Sequence, residues 1–139
     1  MQLVIVRHGK YGMGDHLSEE GRDDIAAVGA KLKAMLNGIP EIHASPVTRA
    51  KESSQVLQSI LGGDLIEDAA LTANYLRDID FLSPEKAKAY LAALPTDLPI
   101  ILVTHVDICA LLLGLFGSSI ALDRGEAAII QDENPPERV

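Results

Sequence analysis

Apolar positions along this chain change their period several times, and each change marks an element. Leu3 to Val6 is a short, β-branched apolar run that reads as a strand buried on both faces. Gly9, Gly12 and Gly14 follow and predict a loop. From Ser18 onward the period becomes helical. Ile25, Val28, Leu32, Met35 and Leu36 share one face, with Ser18 as N-cap and Glu19 and Glu20 suited to the first turn. Asn37-Gly38 and Pro40 end that helix, and a short strand is predicted at Ile42 to Ala44. Ser45-Pro46 then predicts a second helix, with Ser45 as cap and Pro46 in the first helical position. Its inner face is Val47, Ala50, Ser54, Leu57 and Leu61, and Gly62-Gly63 stops it.

Leu65-Ile66 is a short strand candidate, whereas Asp68 to Leu82 has no clear period. Ser83-Pro84 repeats the cap-and-proline start for a third helix carrying Ala87, Tyr90, Leu91 and Leu94. Ile100 to Thr104 is another fully buried strand, and Val106 to Phe116 is apolar enough all round to be a buried helix. Ala127 to Ile130 is the last predicted strand, and the tail with Pro135-Pro136 is expected to be loose. The reading is therefore one domain over residues 1–131 with a loose tail over 132–139. Strands alternating with helices imply right-handed crossovers and a three-layer α/β/α fold. The central sheet should be mainly parallel, with the direction of the last strand left open.

Composition narrows the function classes. The chain has 139 residues, enough for one domain with a real core. Twenty acidic against twelve basic side chains give a net charge of −8, which argues against a nucleic-acid partner. One cysteine, Cys109, excludes an internal disulfide and a cysteine metal cluster; its apolar setting marks it as a small buried hydrophobe. The first apolar run is too short for a signal peptide and lacks a basic leader. No stretch approaches the roughly 20 apolar residues of a membrane span. A cytoplasmic protein without a membrane partner is expected.

In an open α/β sheet, ligands bind outside the carboxyl ends of the strands. Arg7 and His8 stand just after the first strand. Ser45, Pro46 and Arg49 follow the second, and Thr104 and His105 follow the Ile100 strand. Two arginines and two histidines, far apart in sequence, should thus meet at one edge. Guanidinium forks match phosphate oxygens, and helix N-termini add N–H donors and positive dipole ends. A neutral imidazole among them can act as a nucleophile, while a second, protonated one can stabilise charge building on the phosphoryl oxygens. Four histidines without ligand spacing, beside arginines that repel cations, do not suggest a metal. His43, inside the second strand, reads as a packed or edge residue.

The run Leu3-Val4-Ile5-Val6-Arg7-His8-Gly9 resembles the signature of the histidine phosphatase superfamily, also called phosphoglycerate mutase-like. The resemblance continues in Leu17-Ser18-Glu19-Glu20-Gly21-Arg22, in Ser45-Pro46-Val47-Thr48-Arg49-Ala50 and in Val103-Thr104-His105. These blocks stand in the family's order and span nearly the whole chain. The resemblance implies that His8 accepts the phosphoryl group, that Arg7 and Arg49 bind it, and that His105 completes the pocket. No cofactor is implied.

Most ester-cleaving members of that family carry a glutamate soon after the third strand, which protonates the leaving oxygen. Here Ala73 or Asn74 holds that place. The chain is similar in this to the small phosphohistidine phosphatases of the SixA type, whose leaving group is an imidazole. Those proteins tend to place an arginine before the Leu-Thr pair that opens the first helix, whereas Asp15-His16 stands here. Asp78, Asp80 and His16 are the candidates for a replacement acid or polar contact. The expected function is a phosphatase with a phosphohistidine intermediate on His8. Its substrate would be a phosphohistidine protein or another small accessible phosphate compound. The alternatives are a small-molecule phosphate monoesterase of the same fold and a phosphate- or phosphopeptide-binding module without turnover.

Overall fold

Four strands run parallel because the helices between them return the chain to the same end of the sheet. A computed structural model of the chain describes residues 1–77 and 80–139. The strands are β1 (Gln2–Arg7), β2 (Glu41–Ala44), β3 (Leu65–Glu67), β4 (Ile100–Thr104), β5 (Ala127–Gln131) and β6 (Glu137–Arg138). The helices are α1 (Glu19–Met35), α2 (Thr48–Leu61), α3 (Pro84–Ala92) and α4 (Val106–Leu115). The strand order is β3-β2-β4-β1-β5-β6. β1 and β2 flank β4 in parallel, β3 joins β2 in parallel, and β5 lies antiparallel on β1. The expected mainly parallel sheet is thus present, and the open question about the Ala127 strand resolves to antiparallel.

Period-2 alternation divides the core into two layers. Val4, Val6, Ile42, Ala44, Ile101 and Val103 meet α1 and α2 through Ile25, Val28, Leu32 and Leu57. Leu3, Ile5, Ile100 and Leu102 meet α4 and α3 through Ile108, Leu112, Leu113 and Ala87. Helices therefore cover both faces, which explains why β1 and β4 read as unbroken apolar runs. Cys109 is buried in the second layer, and burial pushes its thiol up to about 12, so it behaves as a small hydrophobe. Among the described residues no helix is long and apolar enough to cross a membrane.

The caps at Ser18 and Ser83 form as predicted, each hydroxyl accepting from a backbone N–H three residues on. Three local readings change. The hydroxyl of Ser45 does not cap α2, which begins at Thr48 with Val47 in the cap position. The tail expected to be loose carries β6, which pairs with β5, and the Val139 N–H donates to the Ala127 carbonyl at 3.0 Å. The exposed edge of β5 supplies the free donors and acceptors that draw the tail in. The stretch without a period folds as two 3-10 turns, Ala69–Leu71 and Asn74–Leu76. The Arg77 guanidinium ties this stretch by donating to the carbonyls of Ala70, Thr72 and Asp80. Asp78 lies outside the described residues.

Gly21, in the first turn of α1, lets the helix lie against the loop that follows β1. A β-carbon there would stand 2.1 Å from the Lys10 carbonyl oxygen. Helix propensity alone favours alanine by about 1 kcal/mol. The steric contact reverses that sign, and Gly21→Ala should destabilise by about 2 kcal/mol or more. Thermal unfolding checks this, and an unchanged or raised Tm would mean that the loop yields without cost.

Candidate active site

β2, β4 and β1 are adjacent, so the residues after their carboxyl ends are neighbours in space. His8 leaves β1 with its N–H donating to the Thr104 carbonyl at 3.1 Å, which holds it beside the end of β4. Its side chain is nearly fully buried. One ring nitrogen, Nδ1, lies 3.0 Å from the Gly9 carbonyl oxygen. A carbonyl can only accept, so Nδ1 carries the hydrogen and Nε2 keeps a free lone pair. Facing Nε2 at 3.2 Å is the Nε–H of Arg49. Arg49 projects from the first turn of α2 and is itself buried.

His105 follows β4 and holds the N-cap position of α4 without a side-chain capping bond. It is fully buried, and its ring centroid lies 5.2 Å from that of His8, edge-on at 62°. Its Nε2 is 2.8 Å from the Ser45 hydroxyl oxygen. That contact explains why Ser45 is not available to cap α2 in the predicted way. Its Oγ accepts only a long bond, 3.3 Å, from the Val47 N–H. Arg7, at the end of β1, donates from one terminal nitrogen to the Leu122 carbonyl at 3.0 Å. The Arg7 Nε and the His105 Nδ1 are both buried without a protein partner. Buried polar atoms rarely stay unpaired, and these two stand at the ends of the adjacent strands β1 and β4.

Burial dominates the protonation of both histidines. It lowers His8 to about 4, opposed by the Gly9 hydrogen bond and assisted by the charges of Arg49 and Arg7. It lowers His105 to about 3, assisted by His8 and Arg49. His8 is therefore neutral at pH 7, as a nucleophile requires. His105 is neutral too, in contrast to the protonated second histidine expected from sequence, because burial disfavours the charged ring and the neighbouring His8 and Arg49 oppose a further proton.

Around this core stand four residues that sequence reasoning did not assign to the site. Tyr11 packs edge-on against His8, and the Arg49 guanidinium carbon lies 4.7 Å from its ring centre. Asp15 bonds the Arg49 Nη1 at 2.7 Å, and the Arg49 Nη2 donates to the Tyr75 hydroxyl at 3.4 Å. Tyr11 and Asp15 lie in the glycine-rich loop, whose path no sequence period reveals. Ser53, one turn beyond Arg49, links the parts. Its hydroxyl accepts from the Gly9 N–H at 2.9 Å and donates to the Arg49 carbonyl at 2.7 Å.

The described acid candidates fall elsewhere. His16 is exposed and pairs with Glu52 at 3.0 Å. Asp80 is exposed and paired with Lys86. Asn74 donates from its side-chain amide to the Leu82 carbonyl at 3.2 Å and accepts from the Leu82 N–H at 2.8 Å, so it is a structural brace. Ala73 is fully buried. His43 is a packed strand residue, as expected, 2.6 Å from the Glu41 carboxylate. Among the described residues no group of three or more His, Cys, Asp or Glu is placed to hold a metal.

No protein-family model matches the chain, and no curated protein matches it. Solved structures do. The protein histidine phosphatase SixA complexed with tungstate superposes with a TM-score of 0.79 at 19% identity, covering 100% of this chain and 94% of that one. The putative phosphohistidine phosphatase SixA from Agrobacterium tumefaciens gives 0.72 at 16%, covering 99% and 95%. The mycobacterial glucosyl-3-phosphoglycerate phosphatase Rv2419c with VO3 gives 0.70 at 16%, covering 99% and 96%. With this sheet order, and matched over nearly its full length by such structures, the chain has the histidine phosphatase, or phosphoglycerate mutase-like, fold.

Proposed function

We propose that this protein is a phosphatase that works through a phosphohistidine on His8. The observation that carries the reading is the pairing of a buried, neutral His8 Nε2 with the Arg49 guanidinium at 3.2 Å, its other nitrogen committed to Gly9. A guanidinium facing an imidazole lone pair is an arrangement an oxyanion can enter, with its oxygens on the guanidinium and its phosphorus toward Nε2. The tungstate complex of the SixA relative fits a fold that takes tetrahedral oxyanions.

Catalysis then has two in-line steps. His8 Nε2 attacks phosphorus, a P–N bond forms, and the bond to the leaving group breaks. Water next attacks the phosphohistidine, the P–N bond to His8 breaks, and inorganic phosphate leaves. Arg49 and Arg7 hold the non-bridging oxygens, and the unpartnered Arg7 Nε gains an acceptor. A phosphoryl dianion beside His105 favours the protonated ring, which would then stabilise charge on the phosphoryl oxygens.

The preferred substrate in this reading is a phosphohistidine-bearing protein or a similar accessible phosphoramidate. Asn74 is committed to Leu82 and Asp80 to Lys86, so neither is a positioned acid for an ester oxygen. A positioned acid is worth about 10²–10⁴-fold to an ester. An imidazole leaving group needs it less, because its nitrogen can be protonated before the bond breaks. A phosphate monoesterase is the second reading, favoured by the likeness to the glucosyl-3-phosphoglycerate phosphatase fold. Faster turnover of esters than of phosphoramidates would select it.

Three outcomes check the chemistry. Incubation with a phosphoramidate donor should leave acid-labile label on the wild type and none on His8→Ala; unlabelled wild type with no hydrolysis across a phosphoramidate and ester panel would leave only a binding module. Arg49→Lys replaces a fork with a point charge and should cost about 10²-fold or more in kcat/KM. Wild-type turnover in that variant would put Arg49 outside the reacting pocket. Because His8 is depressed to about 4, its reactive neutral form persists well below the ordinary histidine value of 6.5. The rate of phosphoenzyme formation, corrected for protonation of the donor, should stay level from pH 8 to roughly 5 and fall below about 4. An acid limb centred at 6.5 would contradict a buried neutral His8.

A further inference from the structure

The loop between β1 and α1 places a carboxylate where the proposed phosphoryl ligand must bind. Asp15 Oδ1 lies 2.7 Å from the Arg49 Nη1, and its Oδ2 accepts from the Arg49 backbone N–H at 3.4 Å. That N–H belongs to the first turn of α2, whose cap residue Val47 offers no side-chain acceptor. Asp15 therefore fills an anion site built from a guanidinium and a helix N-terminus, and the anion is the protein's own.

The loop is built to present this group and to release it. Tyr11 and Leu17 form an isolated antiparallel bridge, and the Gly12 N–H donates to the His16 carbonyl at 3.0 Å. Glu52 clamps the base by accepting from the Leu17 N–H at 2.8 Å and pairing with His16. Gly14 and Asp15 both adopt positive φ, 68° and 66°, a bend that aspartate tolerates better than most side chains. The bend turns the carboxylate back toward Arg49. None of Met13–Asp15 is buried, and Met13 is 97% exposed. The base is thus fixed, while Asp15 provides the contact between the tip and α2. Segments with so few packed contacts open at low cost.

We propose that Asp15 is a displaceable internal anion that competes with phosphate for Arg49 and so speeds release of the product. The inference rests on the reading of Arg49 as a phosphoryl-binding residue. A substrate phosphoryl group displaces the carboxylate from the guanidinium. After hydrolysis, the carboxylate returns as inorganic phosphate departs. Asp15 is in this sense a positioning and selectivity residue that makes no bond to phosphorus.

The test is calorimetric titration of inorganic phosphate into wild-type protein and Asp15→Asn, with phosphate inhibition of turnover measured in parallel. Asparagine keeps the shape and an acceptor for the Arg49 N–H but removes the charge, so folding is conserved and Tm serves as the control. The proposal expects Asp15→Asn to bind phosphate about tenfold more tightly and to be inhibited at correspondingly lower phosphate, the size of one charge-assisted hydrogen bond no longer contested. Asp15→Glu, which restores charge on a longer arm, should return part of the weakening. Equal or weaker phosphate binding by Asp15→Asn at an unchanged Tm overturns the competition and makes Asp15 a brace for Arg49. Absence of phosphate binding in both proteins, and in Arg49→Lys, instead overturns the phosphoryl-site reading beneath it.

Discussion

Arg49 donates its Nε–H to the Nε2 of a buried His8 across 3.2 Å, and much of the fold serves to keep those two groups in place. Neither residue could hold that position alone. His8 is fixed from three sides: by its backbone bond to Thr104, by the ring bond to Gly9, and by burial behind the ends of β1 and β4. Arg49 is fixed by the start of α2, and Ser53 joins the two by bonding both the Gly9 N–H and the Arg49 carbonyl. Gly21 allows α1 to close against Lys10, so the loop carrying Gly9 cannot drift. In the proposed chemistry, a displacement of about 1 Å in such a constellation can cost 10²-fold in rate.

Keeping the histidines neutral has a thermodynamic cost. Unfolded histidine takes up a proton near pH 6.5, whereas the folded His8 and His105 resist protonation down to about 4 and 3. Below pH 6.5 the unfolded chain therefore binds more protons than the folded one, and stability declines as pH falls toward those lower values. The unpartnered Arg7 Nε and His105 Nδ1 add to this cost. Buried neutral histidines beside two arginines are thus kept at a cost that the packing of the rest of the fold must offset.

The sheet and its helices were legible because β1 and β4 are buried on both faces, which forces unbroken apolar runs, and because Ser18 and Ser83 mark helix starts chemically. The convergence of His8, Arg49 and His105 was legible because parallel strands must end at one edge. What escaped depends on contacts that no period encodes. Ser45 has the sequence of a cap, yet its hydroxyl goes to His105, which is 60 residues away in the chain. Residues 137 and 138 look like tail because the attraction of an open β5 edge is invisible in their own composition. Asp15 was missed because a short loop with two positive-φ residues aims a side chain in a direction that spacing cannot predict. The neutral state of His105 required knowing how completely it is buried.

In the proposed chemistry, the region after β3 bears on which leaving group the pocket can serve. A carboxylic acid at Ala73 or Asn74 would have to stand clear of the core and face the pocket. Instead Ala73 is sealed in the core, and Asn74 spends both ends of its amide on the Leu82 backbone while its own N–H donates to Asp107 at 2.8 Å. Asp107 also accepts from the Ile108 N–H at 2.9 Å, so this carboxylate is occupied in bracing the start of α4. These bonds tie the two 3-10 turns to α4 and close the loop near the site. Converting Asn74 to an acid would remove the amide donor to Leu82 before it supplied a proton to any substrate. In the proposed chemistry the segment thus favours order over proton donation, and a leaving group that brings its own proton is the one such a pocket accommodates with the least loss.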